Sequence, residues 1–313
     1  MSYSFSNFQI PYSPAKNFSK KVAYFSMEFA LDQSLKTFSG GLGFLAGSHM
    51  RSAFELKQNL IGIGILWKYG YYDQVRNSDN HMGVLFQQKA YNFLIDTGIK
   101  FQVDVSDHKV WVSAWYLPPE RFNSVPMFFL TTDIPENDYL SKTITNNLYD
   151  SNQETKIAQS IILGVGGAKL IDELGFEPEI YHLNEAHGLS AAFHLYEKYK
   201  NVDEVRKRMV FTTHTPVAAG NEKHNINELE KMSFFQSIAL DEVRKITGIQ
   251  DDVFDHSLVA LRLSKIANGV SAIHGNVARK MWGKYEGIAP IISITNSQNK
   301  KYWADEKMDK AAL

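Results

Sequence analysis

The chain has 313 residues and is 44% hydrophobic, enough for one large core or two small ones. Its 33 lysines and arginines against 34 aspartates and glutamates leave a net charge of −1, which gives no electrostatic reason to expect nucleic acid or an anionic membrane as partner. It has no cysteine, which excludes disulfides, thiolate metal sites and cysteine nucleophiles and makes a reducing, cytoplasmic setting the natural reading.

The first residues, MSYSFSNFQIPYSPAKNF, are polar and aromatic and hold no apolar run of signal-peptide length. Residues 1–20 read as an N-terminal extension. Residues 21–30 (KVAYFSMEFA) predict a buried strand. The Gly-rich turn Ser39-Gly40-Gly41-Leu42-Gly43 follows, then an amphipathic helix to about Gln58 with Leu45, Phe54 and Leu56 among its apolar positions. A second buried strand covers 61–67, and the apolar stretch 60–67 is far too short to span a bilayer. Residues 101–105 and 110–114 alternate apolar with polar around Ser106 and Asp107, the pattern of a hairpin, and 125–133 is a further strand.

Residues 154–174 predict a helix capped by Gly175, with Pro178 just beyond. A strand at 180–183, a helix at 188–199 and a strand at 209–213 follow. The polar segment 221–252 reads as a helical excursion, 258–267 and 277–282 as helices, and 291–295 as a last strand. This alternation argues for an α/β fold, a Rossmann-like parallel sheet with helices on both faces. The final YWADEKMDKAAL carries no sign of a completed second domain, so 304–313 reads as the start of a truncated continuation.

Four polar clusters follow apolar strands, where open parallel sheets gather ligands. The Gly-rich turn places backbone N–H groups at a helix N-terminus, which attracts anions, and the same glycines also suit a plain tight turn. It lacks GxGxxG spacing and the P-loop lysine. In Tyr181-His182-Leu183-Asn184-Glu185-Ala186-His187, Glu185 and His187 have the chemistry to bind a substrate or orient another group. The two histidines are five apart and cannot share a helical face, so no zinc site is expected and no metal is implied. The alternative is a helix start with Glu185 near the positive end of its dipole. His214 in Phe211-Thr212-Thr213-His214-Thr215-Pro216 and Asn296 in Ile294-Thr295-Asn296 each end a strand, as a local hydrogen-bonding or turn residue or as a sugar contact. Gly164-Val165-Gly166-Gly167-Ala168-Lys169 falls inside a helical pattern and reads as close helix packing.

In order along the chain, FSMEFALDQSLKTFSGGLGFLAGSHMRSA, GIGILWKYGYYDQ, YHLNEAH, VFTTHTPVAAG, ALRLSKIANGVSAIHGNVARKMW and ITNSQNKKYW resemble successive motifs of the short bacterial and archaeal α-glucan phosphorylases. The resemblance runs from about Lys21 to Trp303. It implies residues 21–303 as the N-terminal Rossmann-like domain of a GT-B enzyme, whose two domains face a cleft. It implies reversible phosphorolysis of a terminal α-1,4-linked glucose of glycogen, starch or maltodextrin, by inorganic phosphate, to α-glucose 1-phosphate. It implies pyridoxal 5'-phosphate as cofactor, held by a lysine of a C-terminal domain that this chain does not include, so the isolated half is expected to be inactive.

Residue by residue, the resemblance makes Gly40, Gly41 and Leu42 the loop facing phosphate and the anomeric end of the sugar. It makes His214 the partner of the glucose 6-hydroxyl and Asn296 a second contact to that sugar. Glu185 and His187 line the cleft, and Glu28 is an acid on the cofactor side. The family's usual Gly-Val-His after the asparagine is Ser297-Gln298-Asn299 here, which changes the turn and removes a titratable group. A nucleotide-sugar-dependent glycogen or starch synthase-like glucosyltransferase also carries a GGLG loop and is the enzymatic alternative. A non-catalytic glucan-binding half is the other.

Overall fold

The computed structural model describes residues 4–312. Residues 1–3 of the expected 1–20 extension and residue 313 of the expected 304–313 continuation lie outside the described residues.

A nine-stranded sheet forms the centre of the chain. Its strands are β1 (Val22–Phe25), β2 (Leu60–Ile65), β3 (Ile95–Val105), β4 (His108–Leu117), β5 (Met127–Thr131), β6 (Ile180–Asn184), β7 (Met209–Thr213), β8 (Ile266–Gly269) and β9 (Ile291–Ser293). Their order across the sheet is β9-β8-β7-β6-β1-β2-β5-β4-β3. Continuous apolar runs such as LIGIGI in β2 and MFFLT in β5 suit strands covered on both faces, and every residue of both is buried.

The sheet is mixed, which corrects the expected parallel sheet: the expected hairpin at 101–114 adds antiparallel strands to it. Strands β9 to β5 in that order run parallel, while β4 pairs antiparallel with both β5 and β3. The reason is local: Ser106 (φ 50°) and Asp107 (φ 62°) make a two-residue turn, which can only return the chain antiparallel. A second correction concerns 258–267. The helix there is His256–Arg262, and Ile266–Gly269 is a sheet strand between β7 and β9. The excursion at 221–252 is partly helical, with helices Ile226–Lys231 and Leu240–Thr247, and its Lys223–Asn225 pairs with Val253–Asp255.

Helix α1 (Gly41–Glu55) links β1 to β2. The helix expected at 154–174 is present as α2 (Gln153–Ile161), a π-helical turn at Ile162–Gly166, and α3 (Gly167–Glu173). An added Cβ at Gly164 would lie 2.2 Å from Ser190 Oγ, so glycine permits the close packing expected of this segment. Ser190 Oγ also accepts the Val165 N–H at 3.1 Å and donates to Ser160 O at 2.9 Å, serving backbone groups that the π turn releases. The N-terminal segment is woven into the core: Phe8 is buried against Phe128 and its N–H donates to Leu174 O at 2.7 Å. No helix among the described residues is long and apolar enough to cross a membrane.

Candidate functional site

From β1 the chain proceeds outward through β2 on one side, whereas β6 returns to β1's other flank. Such a switch point opens a crevice at the carboxyl ends of the strands. Ser26 and Glu28 leave β1 there, Asn184 and Glu185 leave β6, and His214 leaves β7.

One hydrogen-bond chain joins these residues. Glu28 is almost wholly buried, and its Oε2 accepts the N–H groups of Ser39 at 2.6 Å and Gly40 at 3.0 Å. Its Oε1 accepts the Tyr149 hydroxyl. Burial and then the Glu28 charge push the Tyr149 phenol well above its ordinary range. Ser26 Oγ donates to the Glu28 carbonyl at 2.8 Å and accepts from Asn184 Nδ2 at 3.0 Å. Asn184 Oδ1 therefore faces His214 Nε2, 2.7 Å away, as an acceptor. Burial lowers His214 to about 4, so the ring is neutral near pH 7. Its proton then sits on Nε2, and Nδ1 is left as an acceptor.

Glu185 holds the other side of His214. Its carboxylate accepts the His214 backbone N–H and the Thr215 hydroxyl, the latter at 3.1 Å. Its backbone has φ 63° and ψ 177°, a region that side-chain-bearing residues enter at a cost of about 1–3 kcal/mol. The Glu185 N–H bonds to Thr212 O at 2.9 Å, which helps to hold that conformation, and burial raises its carboxyl pKa. A strained, buried acid holding the His214 backbone and an amide holding its ring together form a positioning device: Glu185 fixes the main chain, and the ring cannot turn without breaking its bond to Asn184.

The glycine corner divides into two parts. Gly40 gives its N–H to Glu28, so that group is not available to an anion. Gly41 and Leu42 open α1, where first-turn N–H groups have no intrahelical acceptor. A Cβ on Gly40 or Gly41 would meet nothing within 4 Å, so the corner faces open space. The Glu28 carboxylate also sits favourably at the positive end of the α1 dipole. Glu28→Ala is expected to destabilise the chain by about 2–3 kcal/mol, because two N–H groups and a hydroxyl lose a charged partner. Glu28→Gln should cost about 1 kcal/mol, since the amide oxygen still accepts an N–H and its nitrogen can donate to Tyr149. Equal urea midpoints for the two variants would show that the carboxylate does not organise the corner.

His187 lies beside this network. Its ring centroid is 6.3 Å from that of Tyr149, and its buried Nδ1 has no hydrogen-bond partner among the described residues. Asn296 stands apart from His214, in a cavity of about 290 Å³ between α1 and residues 294–297. There His182 Nε2 pairs with Thr212 Oγ1 at 2.7 Å, and Thr212 donates to Asn268 Oδ1 at 2.8 Å. Burial lowers His182 to about 3 and the neighbouring His49 to about 4. The segment that departs from the phosphorylase pattern anchors the loop to α1. Ser48 Oγ donates to Gln298 Oε1 at 3.0 Å, and Asn299 Nδ2 reaches Ser52 Oγ at 3.1 Å and Glu55 Oε1 at 3.2 Å.

Sequence reasoning passed over Ser26, Asn184 and Tyr149. The first two lie inside quoted motifs, where a polar residue at a buried strand end was the available signal. Tyr149, 121 positions from Glu28, offered none. Among the described residues no group of three or more histidines, cysteines or acids is arranged to hold a metal.

No family model matches the chain. It is 46% identical over 94% of its length to an uncharacterized protein of Methanocaldococcus jannaschii, covering 56% of that protein. It is 33% identical over 92% of its length to the maltodextrin phosphorylase of Thermococcus litoralis, covering 37% of it. It is 30% identical over 90% of its length to the glycogen phosphorylase of Mycobacterium tuberculosis, again covering 37%. The chain thus spans from over a third to just over half the length of these curated relatives. Proteins named maltodextrin or glycogen phosphorylase align with about nine-tenths of this chain, which supports a relation to the phosphorylase family.

Proposed function

We propose that this chain is the glucan-positioning half of an α-glucan phosphorylase of GT-B architecture, acting with a second, cofactor-bearing domain in reversible phosphorolysis of a terminal α-1,4-linked glucose. The observation that carries this reading is the chain from Glu28 through Ser26 and Asn184 to His214, which ties the glycine corner to a neutral histidine at the carboxyl ends of β1, β6 and β7. Pyridoxal phosphate would supply its phosphate group as a proton donor and acceptor. The part of the site built here fits a phosphate at the open Gly41–Leu42 corner, and no lysine lines either cavity beside the β6 and β7 ends. The lysine belongs, in this reading, to the partner domain.

The residues here bind and orient. His214 Nδ1 accepts a hydrogen bond from the glucose 6-hydroxyl while Nε2 stays tied to Asn184. The first-turn N–H groups of Gly41 and Leu42 face the phosphate or the developing charge at the anomeric oxygen. Asn296 hydrogen-bonds the glucan from the separate cavity that it lines, and Glu185 and His187 line the cleft.

The test uses the longer protein containing both domains. His214→Ala should lower kcat/KM about ten- to a hundredfold, the loss of one hydrogen bond plus ring alignment. With 6-deoxyglucose 1-phosphate in the synthetic direction, wild type should lose far more than His214→Ala, since the variant has already lost that contact. Strictly additive losses would remove His214 from the 6-hydroxyl. Dependence on a nucleotide sugar instead of glucose 1-phosphate would replace the reading with a synthase.

A further inference from the structure

A cavity of about 390 Å³ opens beyond the ends of β2 and β5, away from the residues used above. That size falls within the range of small-ligand sites. Trp115 of β4 and Tyr91 present partly exposed rings to it, while Gln88 and Asn92 bring exposed amides to its rim. Its charges cancel: Lys68 pairs with Asp133 at 2.9 Å, and Lys89 pairs with Asp73. A pocket of aromatic faces, free amides and neutralised ions suits an uncharged ligand with apolar faces and hydroxyl edges, which is the chemistry of a pyranose ring.

The cavity has a neighbour. A second space of about 270 Å³ is lined by Tyr69, Tyr71 and Tyr72 and reaches Ser39 at the glycine corner. Lys89 borders both spaces, and the Lys36 N–H at the edge of the second donates to the Tyr91 hydroxyl of the first at 3.0 Å. The Lys89 N–H donates to Lys68 O at 2.7 Å, which pins the intervening loop.

We propose that the two spaces form one glucan-binding trough, in which outer sugar units stack at Trp115 and Tyr91 and the chain crosses the tyrosines toward Gly40. This rests on the glucan reading above and deepens it: the trough selects long oligosaccharides.

Maltoheptaose binding to the full chain, measured by titration calorimetry, tests it. Trp115→Leu and the double variant Gln88→Ala/Asn92→Ala should each weaken binding about three- to tenfold, the scale of one stacking or paired hydrogen-bond contact. The double variant alters only exposed side chains, so its result stands even where Trp115→Leu perturbs the sheet. Wild-type binding that the double variant leaves unchanged would overturn the trough and leave the proposed function standing. Absence of maltoheptaose binding to wild type would overturn the trough together with the glucan reading.

Discussion

Acidification is expected to unfold this chain progressively between about pH 6.5 and pH 4. Burial lowers His49, His214 and His256 to about 4 and His182 to about 3. In the unfolded chain each returns to about 6.5. As pH falls through 6.5 the unfolded state takes up four protons that the folded state refuses until about pH 4, so the stability present above 6.5 is lost across that window. Each histidine contributes at most about 1.4 kcal/mol per pH unit, and a third of that ceiling over four sites is about 2 kcal/mol per unit. Against a domain stability of about 5–15 kcal/mol, two units remove a large part of the whole. Glu185 works in the opposite sense, because its raised carboxyl binds its proton earlier in the folded state, but it is one group against four. Urea midpoints should be flat above pH 7 and fall steeply below 6.5, with His182→Gln reducing the slope by about a quarter. A flat midpoint from pH 7 to 5 would mean that these rings are hydrated in solution.

The parallel half of the sheet was legible because its strands are apolar on both faces and end in polar clusters. Strand β8 was not. Its sequence, Ile266-Ala267-Asn268-Gly269, has a single β-branched residue, and its strand identity comes from pairing with β7 and β9. The π turn was hidden because its glycines also suit an ordinary helix, and its stabilising partner Ser190 lies 25 residues from Val165. The positions of the candidate site residues could be read from motif order and strand ends, whereas their wiring could not. Gly40 looked like a free donor, and only the fold brings Glu28 back across 12 positions to occupy it. The Ser297-Gln298-Asn299 departure looked like a loss, yet Gln298 and Asn299 hold the Asn296 loop against α1 through side chains that the usual Gly-Val-His would not provide.

Gly47→Ala should destabilise the chain by about 3 kcal/mol or more, although alanine is the better helix former by about 1 kcal/mol. Gly47 lies in the interior of α1, where the segment after β1 crosses the helix. An added Cβ would sit 2.1 Å from the Ala30 carbonyl oxygen and 2.6 Å from its carbon. Both obstacles are backbone, so no rotamer change relieves the contact, and helix and loop must separate by about 1 Å to restore van der Waals distance. That movement would pull on the Ala30 N–H bond to Gly43 O, now 2.9 Å, and on the Glu28 contacts that shape the glycine corner one residue pair away. Steric cost and lost hydrogen bonds together exceed the propensity gain. Gly41→Ala is the internal comparison. Its Cβ would meet nothing within 4 Å, so stability should stay within about 0.5 kcal/mol of wild type. The same methyl would stand in the open corner where a phosphate is proposed to sit. In a two-domain protein of the proposed kind, Gly41→Ala should therefore raise the KM for phosphate while leaving the melting temperature unchanged, and Gly47→Ala should lower the melting temperature whether or not ligand is present. Equal melting temperatures for the two variants would mean that α1 is not seated on Ala30, and an unchanged phosphate KM in Gly41→Ala would place the anion elsewhere.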